Sequence, residues 1–241
     1  LTQELMNWVH YSWFAPYLRT LTEQEVKLFL SAFAPEEATK LKEELILSDT
    51  TYPIDPVTKA FLRKKLAAYL LKGKKNLLPI KALPNSPFSC LLASTTADLE
   101  KLTDFLGLHD LAAEITQIID NIKLKKIHSF LSQEKLVYLK SLSHKKETIL
   151  FKKMELTNWD GEEESLLTLL RKRGMNRLAK ALFPEGKDLI WYVTRRMTSE
   201  EAHLFYALHK KLEHEKAYAI LGEQVTSLLS FFQNYNVQAE S

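Results

Sequence analysis

The sequence carries one dense run of positive charge, between residues 59 and 75. The cations of this run are Lys59, Arg63, Lys64, Lys65, Lys72, Lys74 and Lys75. No Asp or Glu separates them, so the run could contact the phosphates of nucleic acid or anionic lipid, or an acidic protein. Its aromatic residues, Phe61 and Tyr69, fall at positions of the apolar helix face, which disfavours stacking on bases. A solvated helix face is the favoured interpretation, and binding is the alternative.

Other reactive residue types lack the spacing that metal binding or catalysis requires. No two of the seven histidines stand four residues apart, the spacing that places two imidazoles on one helix face. The glycines are too scattered to form a phosphate-binding loop. The single cysteine, Cys90, lies in an apolar stretch without a nearby histidine and is expected to be a buried structural thiol. We therefore expect no catalytic residue, no cofactor, no metal ion and no enzyme activity.

Several aromatic and charged residues are candidates for a protein–protein interface. They are Trp8, Trp13, Arg195, Arg196, Glu213 and His214. The two tryptophans belong to a dense aromatic group near the start of the chain, for which a core position is favoured over an interface anchor. The other four lie beside the best-defined sequence repeat, described below.

The composition predicts a folded helical protein. Hydrophobic residues make up 46% and charged residues 26% of the 241 residues, which excludes a disordered chain. Only six glycines occur and no alternating strand pattern is convincing, so an all-α fold is expected. The 33 basic and 30 acidic residues nearly cancel, which favours protein partners over nucleic acid. The lone cysteine predicts the reducing cytoplasm as the compartment, and the lack of a long apolar run predicts that no segment of this sequence spans a membrane.

Apolar periodicity and helix-breaking residues divide the chain into regions. The pattern predicts helices over residues 2–15, 22–33, 35–47 and 57–72. Beyond residue 95 helix is almost continuous, with interruptions expected at Gly107, Gly174 and Gly222, among other sites. We predict an N-terminal helical region (1–72), a Pro-rich but ordered connector (73–94), a C-terminal helical repeat domain (95–234) and a frayed tail (235–241).

An internal repeat is the most informative pattern in the sequence. Gly107–Ile115 aligns with Gly174–Leu182, and Leu131–Glu134 aligns with Met197–Glu200. A third copy of the second half begins at Leu21, so that Thr22, Ser132 and Thr198 become equivalent helix N-caps. Each cap is followed by apolar residues at helical spacing, which predicts one buried stripe per helix. The predicted fold is a stack of armadillo-like helix pairs in a right-handed superhelical arrangement, with no sheet.

The repeat also resembles a known family. Gly174 to Leu208 is similar to the helical repeats of the bacterial flagellar rotor protein FliG, which run from a glycine through a small-residue helix to a Ser/Thr-capped helix. Glu213-His214-Glu215-Lys216 resembles the Glu-His-Pro-Gln helix start with which FliG binds its neighbouring switch protein, although Glu215 and Lys216 replace Pro and Gln. The N-terminal sequence around Trp8, Trp13 and Thr22 is similar to cytosolic components of bacterial type III secretion, of the SctK or FliG-like accessory kind.

This resemblance implies a role in assembly. Such proteins link the inner-membrane ring to the cytoplasmic sorting platform or rotor ring. From this resemblance we expect a non-enzymatic cytoplasmic adaptor of a type III secretion or flagellar-type apparatus, whose partners are ring and platform proteins. Through these partners it would be held at the cytoplasmic face of the inner membrane. The alternative expectation is a helical module that binds nucleic acid or an anionic membrane through residues 59–75.

Overall fold

The computed structural model of the protein describes residues 5–6, 8–47, 52–74, 76–115, 118, 120–143 and 150–239. Every regular element in these ranges is a helix and no strand occurs there, which confirms the all-α prediction. None of the helices described combines the length and the apolar composition that a membrane crossing requires.

Twelve α-helices and four short 3₁₀ helices are assigned in the described residues. The α-helices are α1 (Ala15–Leu18), α2 (Glu23–Leu30), α3 (Pro35–Leu45), α4 (Pro56–Leu70), α5 (Thr96–Leu106), α6 (Leu108–Ile115), α7 (Asn121–Phe130), α8 (Gln133–Ser143), α9 (Glu163–Ala181), α10 (Lys187–Arg196), α11 (Ser199–Leu208) and α12 (Lys216–Ala239). Short 3₁₀ helices cover Tyr11–Phe14, Ile80–Ala82, Ser89–Ala93 and Leu156–Asn158. Helix α12 extends to Ala239, whereas the sequence predicts a frayed tail from residue 235.

The chain divides into two compact units, each assembled from separate stretches of sequence. Unit 1 comprises residues 1–85 and 186–202, and unit 2 comprises residues 86–185 and 203–241. The sequence-based boundaries were contiguous, whereas the structure groups residues 186–202 with the N-terminal region. This segment contains α10, which is therefore packed within unit 1.

Side-chain caps define several helix starts, as the sequence predicted. The hydroxyl of Thr22 accepts the backbone N–H of Glu25 at 3.4 Å, and the hydroxyl of Thr198 accepts that of Glu201 at 3.1 Å. In both cases the glutamate carboxylate accepts the N–H of the threonine in return, which completes a capping box. The hydroxyl of Ser132 caps α8 in the same way, at 3.3 Å from the N–H of Lys135. All three predicted caps are confirmed.

The predicted interruptions at Gly174 and Gly222 are wrong. Helix α9 passes through Gly174 and helix α12 passes through Gly222 without a break. Gly174 is needed for another reason, because a Cβ atom there would lie 1.6 Å from the carbonyl oxygen of Thr103 in α5. Only glycine permits so close an approach of two backbones.

The crossing of α5 and α9 in unit 2 is reciprocal. A Cβ atom on Gly107 would lie 2.1 Å from the carbonyl oxygen of Leu170, just as one on Gly174 would meet Thr103. Each glycine therefore contacts the residue four positions before the other glycine. Because Gly107 and Gly174 are equivalent in the sequence repeat, this contact has the pattern of a two-fold, self-complementary pair. The right-handed superhelical stacking stays a prediction.

Part of the Pro-rich connector packs into unit 2, but its cysteine is not buried. Phe88, Leu91 and Leu92 pack into unit 2 with at most 8% of their surface exposed. The 3₁₀ helix at Ser89–Ala93 turns these leucines inward and leaves Cys90 exposed. The expectation of a buried thiol at Cys90 is therefore wrong.

Candidate protein interface

Four of the predicted interface residues come together in unit 1. The guanidinium of Arg195 lies 3.7 Å from the ring centre of Trp13, and that of Arg196 lies 3.8 Å from the ring centre of Trp8. At these distances a cation is attracted by the negative face of the indole ring. Both arginines end helix α10, where positive charge also suits the helix dipole. The four side chains are half-buried, so the cluster is neither fully core nor a free surface.

Hydrogen bonds to the backbone hold the same residues in place. The indole N–H of Trp13 donates to the carbonyl oxygen of Met197 at 3.1 Å, and that of Trp8 donates to Tyr192 at 3.3 Å. The backbone N–H of His10 donates to the carbonyl oxygen of Arg195 at 2.8 Å. The bonds to Arg195 and Met197 satisfy carbonyls at the C-terminal end of α10, where the helix provides no internal partner. The cluster therefore fastens the N-terminal segment to α10.

Burial shifts the pKa values of three residues in or next to this cluster. Burial, and then the positive charge of Lys40, lowers the pKa of His10 from its usual value near 6.5 to about 4. Burial also lowers the pKa of the Arg196 guanidinium. The pKa of Tyr192 is raised by burial and then by the charge of Asp188. His10 is accordingly neutral near pH 7, and its Nδ1 lies 2.8 Å from the hydroxyl of Ser12.

The other two predicted interface residues, Glu213 and His214, line a groove in unit 2. The groove is open to solvent and has a volume of about 980 Å³. It is lined by the segment that joins α11 to α12, by the first turns of α12 and by Leu150. Half-buried apolar side chains form its floor, namely Leu150, Leu212, Ala217 and Ile220. Exposed side chains of both charges form its rim, namely Lys211, Glu213, His214, Glu215 and Lys216. An apolar centre within a polar rim is the usual anatomy of a protein interface.

The buried ionisable residues of unit 2 are engaged by other protein groups. Arg177 binds both carboxylate oxygens of Asp110, at 2.8 and 3.2 Å, and donates to the side-chain oxygen of Gln224 at 2.6 Å. The carboxylate of Glu114 accepts the backbone N–H groups of Met154 and Leu156. These contacts join α6 to α9, α12 and the segment before α9. Such networks hold helices in one arrangement, because breaking any part leaves a buried charge unsatisfied.

The basic run is displayed mainly by α4 and the turn that follows it. Lys64, Lys65, Lys72 and Lys74 are exposed, Lys59 and Arg63 are half-buried, and Lys75 lies outside the described residues. Tyr69 faces inward and stacks on Tyr17, as its apolar-face position predicted. Phe61 does not, because 57% of its surface is exposed. The placement of Phe61 on the inner face is therefore wrong.

Sequence reasoning missed two features of these sites. Leu150 and Ile220, from the groove floor, are ordinary apolar residues whose proximity depends on the tertiary fold. The Asp110–Arg177 pair could have been predicted, since the repeat alignment places these opposite charges at equivalent positions.

No group of three or more His, Cys, Asp or Glu residues in the described part of the chain is placed to hold a metal ion. Comparison with protein-family models, curated proteins and solved structures finds no significant match.

Proposed function

We propose that the protein is a non-enzymatic adaptor that binds a partner protein in the unit 2 groove. The groove itself supports this proposal most directly, because it combines a half-buried apolar floor with an exposed rim of both charges. A partner segment with a few apolar side chains, flanked by acidic and basic residues, would be complementary to it.

The proposed setting is a bacterial type III secretion or flagellar-type apparatus. There the adaptor would link the inner-membrane ring to the cytoplasmic platform, at the cytoplasmic face of the membrane. The sequence resemblance described above supports this setting, and Glu213 and His214 connect the two arguments because they belong both to the resembling segment and to the groove rim. The armadillo-like stacking belongs to the same proposal.

Co-purification tests the proposal. The full chain, tagged and produced beside candidate membrane-ring and platform proteins, should retain at least one of them. Ile220→Glu places a charge on the groove floor and should abolish this retention, because the apolar contact becomes a buried unpaired carboxylate.

Ile122→Glu is the matched control. Ile122 is 78% exposed on α7 and does not line the groove, so its replacement should leave retention unchanged. Circular dichroism of both variants confirms that they fold. If no ring or platform protein is retained by the folded wild-type chain, or if both variants lose the partner equally, the proposal fails.

A further inference from the structure

Helix α4 carries apolar side chains on two opposite faces. Its inner face, with Leu62, Leu66 and Leu70, packs into unit 1 and leaves at most 8% of each side chain exposed. Its outer face consists of Val57, Ala60, Phe61, Lys64, Lys65 and Ala68, all exposed. Val57 is 79% exposed and Phe61 is 57% exposed, one helical turn apart. Exposed apolar residues that lie together commonly mark a binding surface.

The neighbouring helix α3 shows how an ordinary solvated face differs. Apart from Pro35 in the first turn, the exposed residues of α3 are polar and carry both charges, namely Glu36, Thr39, Lys40, Glu43 and Glu44. The outer face of α4 instead combines apolar residues with lysines and holds no acidic residue. The outer face of α4 therefore differs in composition from the exposed face of α3.

The charges that α4 and the turn after it place around this face are all positive. Lys64 and Lys65 flank the exposed ring of Phe61, and the Lys65 ammonium lies 5.4 Å from the centre of that ring. Lys72 and Lys74 extend the exposed positive charge beyond the end of the helix. The nearest carboxylate along the chain, that of Asp55, is engaged at the helix start by the N–H groups of Val57 and Thr58. A binding partner complementary to this face must therefore be anionic.

We infer that the outer face of α4 docks on the surface of an anionic membrane. Exposed lysines around a small apolar centre are typical of helices that lie in the membrane interface, where the apolar side chains enter between the headgroups and the ammonium groups contact lipid phosphates. Lysine is depleted in protein–protein interfaces, which makes an acidic protein the weaker match. A nucleic acid would leave Val57 and Phe61 against phosphates and sugars, where their burial gains little. This surface is separate from the groove of the proposed adaptor function.

Vesicle sedimentation of the full chain tests this inference. The chain should bind vesicles of phosphatidylcholine with about 30% phosphatidylserine and should not bind pure phosphatidylcholine. Lys64→Glu/Lys65→Glu should lower the partition coefficient at least ten-fold, since each lysine near such a surface contributes roughly a five-fold gain. Phe61→Ser should lower it several-fold without changing the net charge.

The matched control is Lys125→Glu/Lys172→Glu, which changes the net charge equally at exposed sites in unit 2. It should bind vesicles within about two-fold of wild type, a margin smaller than the effect of a single interfacial lysine. All changes are at exposed positions, and circular dichroism checks that each variant folds. Loss of binding in the control pair, or an unchanged Phe61→Ser variant, overturns the inference because binding would then reflect only net charge. Absence of vesicle binding by wild type, or tighter binding to duplex DNA that Phe61→Ser does not weaken, also overturns it.

Discussion

The helix crossing of unit 2 and the aromatic cluster of unit 1 are built by opposite means. At the crossing of α5 and α9, two glycines remove the side chains, so that one backbone lies directly against the other. In unit 1, large side chains make the contact, with the guanidinium groups of Arg195 and Arg196 on the rings of Trp13 and Trp8. The first contact is enclosed in the core and the second is half-exposed.

This difference determines how each contact responds to change. A backbone pressed against a backbone has no rotamer with which to accommodate an added atom, so even a methyl group must displace a helix. Half-exposed aromatic and cationic side chains can adjust and can be rehydrated when a partner is removed. We therefore expect small substitutions in unit 2 to cost more stability than large ones in unit 1.

The largest effect is expected from Gly174→Ala. Its new methyl group would lie 1.6 Å from the carbonyl oxygen of Thr103, a distance that only separation of α5 from α9 can relieve. The expected loss of unfolding free energy is more than about 3 kcal/mol, at the upper end for overpacked cores. Urea denaturation followed by circular dichroism measures this loss, and hydrogen exchange should show α5 and α9 opening first.

Gly222→Ala is the control for this prediction. Gly222 is also an interior helical glycine of unit 2, but its added methyl group would lie 3.5 Å from the ring of Phe88, an ordinary contact distance. Alanine is favoured over glycine within a helix, so this variant should be unchanged or more stable by up to about 1 kcal/mol. If the two glycine variants lose stability equally, the close backbone contact is not what the crossing depends on.

The second effect concerns the buried ion pair beside the same crossing. Arg177→Met leaves the carboxylate of Asp110 buried without its counter-charge and should cost about 3 kcal/mol of unfolding free energy. The double variant Asp110→Leu/Arg177→Met removes both charges and should recover much of that loss. Denaturant unfolding of the two variants measures the recovery. A double variant less stable than the single one would contradict the view that the isolated charge causes the loss.

The third effect lies in unit 1 and should be smaller. Trp13→Ala removes the ring that faces Arg195 and the hydrogen bond to Met197, but the site is half-exposed and can be rehydrated. We expect a loss of about 2 kcal/mol, compared with the 3–5 kcal/mol typical of fully buried aromatic residues. Trp13→Phe keeps an aromatic face for the guanidinium and should lose less than half as much. If Trp13→Ala loses as much unfolding free energy as Gly174→Ala, the two contacts do not differ in their sensitivity to substitution.

Local chemistry explains which parts of this fold the sequence could predict. The caps at Thr22 and Thr198 were predictable because the partner of each hydroxyl lies three residues away in the chain. The sequence marks Trp13 as an anchor candidate. Its hydrogen-bond partner Met197 is 184 residues away in the chain, however, and no periodic pattern predicts such a pairing. The site residues were thus predicted singly, and only the fold shows which of them meet.

The predicted helix interruption at Gly174 and the predicted inward position of Phe61 are wrong for the same physical reason. In both cases one residue type can serve two opposite structural roles. A glycine such as Gly174 can end a helix or permit a close helix crossing, and its sequence neighbours are similar in both cases. An apolar residue such as Phe61 can face the core or a binding partner, and α4 carries apolar residues on both faces. Tertiary contacts decide which role each residue takes, and sequence periodicity alone cannot predict those contacts.

The smallest effect is a pH dependence that belongs to unit 1. His10 has a pKa of about 4 in the folded protein, below the value near 6.5 of an unfolded chain. Between these values the unfolded chain binds a proton that the folded protein does not, so stability falls as the pH decreases from 6.5 towards 4. Because the ring is half-exposed and solvent screens its charge, we expect a contribution of about 1 kcal/mol.

His10→Asn isolates this contribution, because an asparagine can still accept the backbone N–H of Ser12 but does not titrate. The stability of wild type minus that of His10→Asn, from urea unfolding, should therefore decrease by about 1 kcal/mol between pH 7 and pH 4.5. Taking this difference removes the titration of all other groups that the two proteins share. A difference that does not change with pH would show that His10 is protonated equally in the folded and unfolded states. In that case His10 would give unit 1 no pH dependence that distinguishes it from the α5–α9 crossing of unit 2.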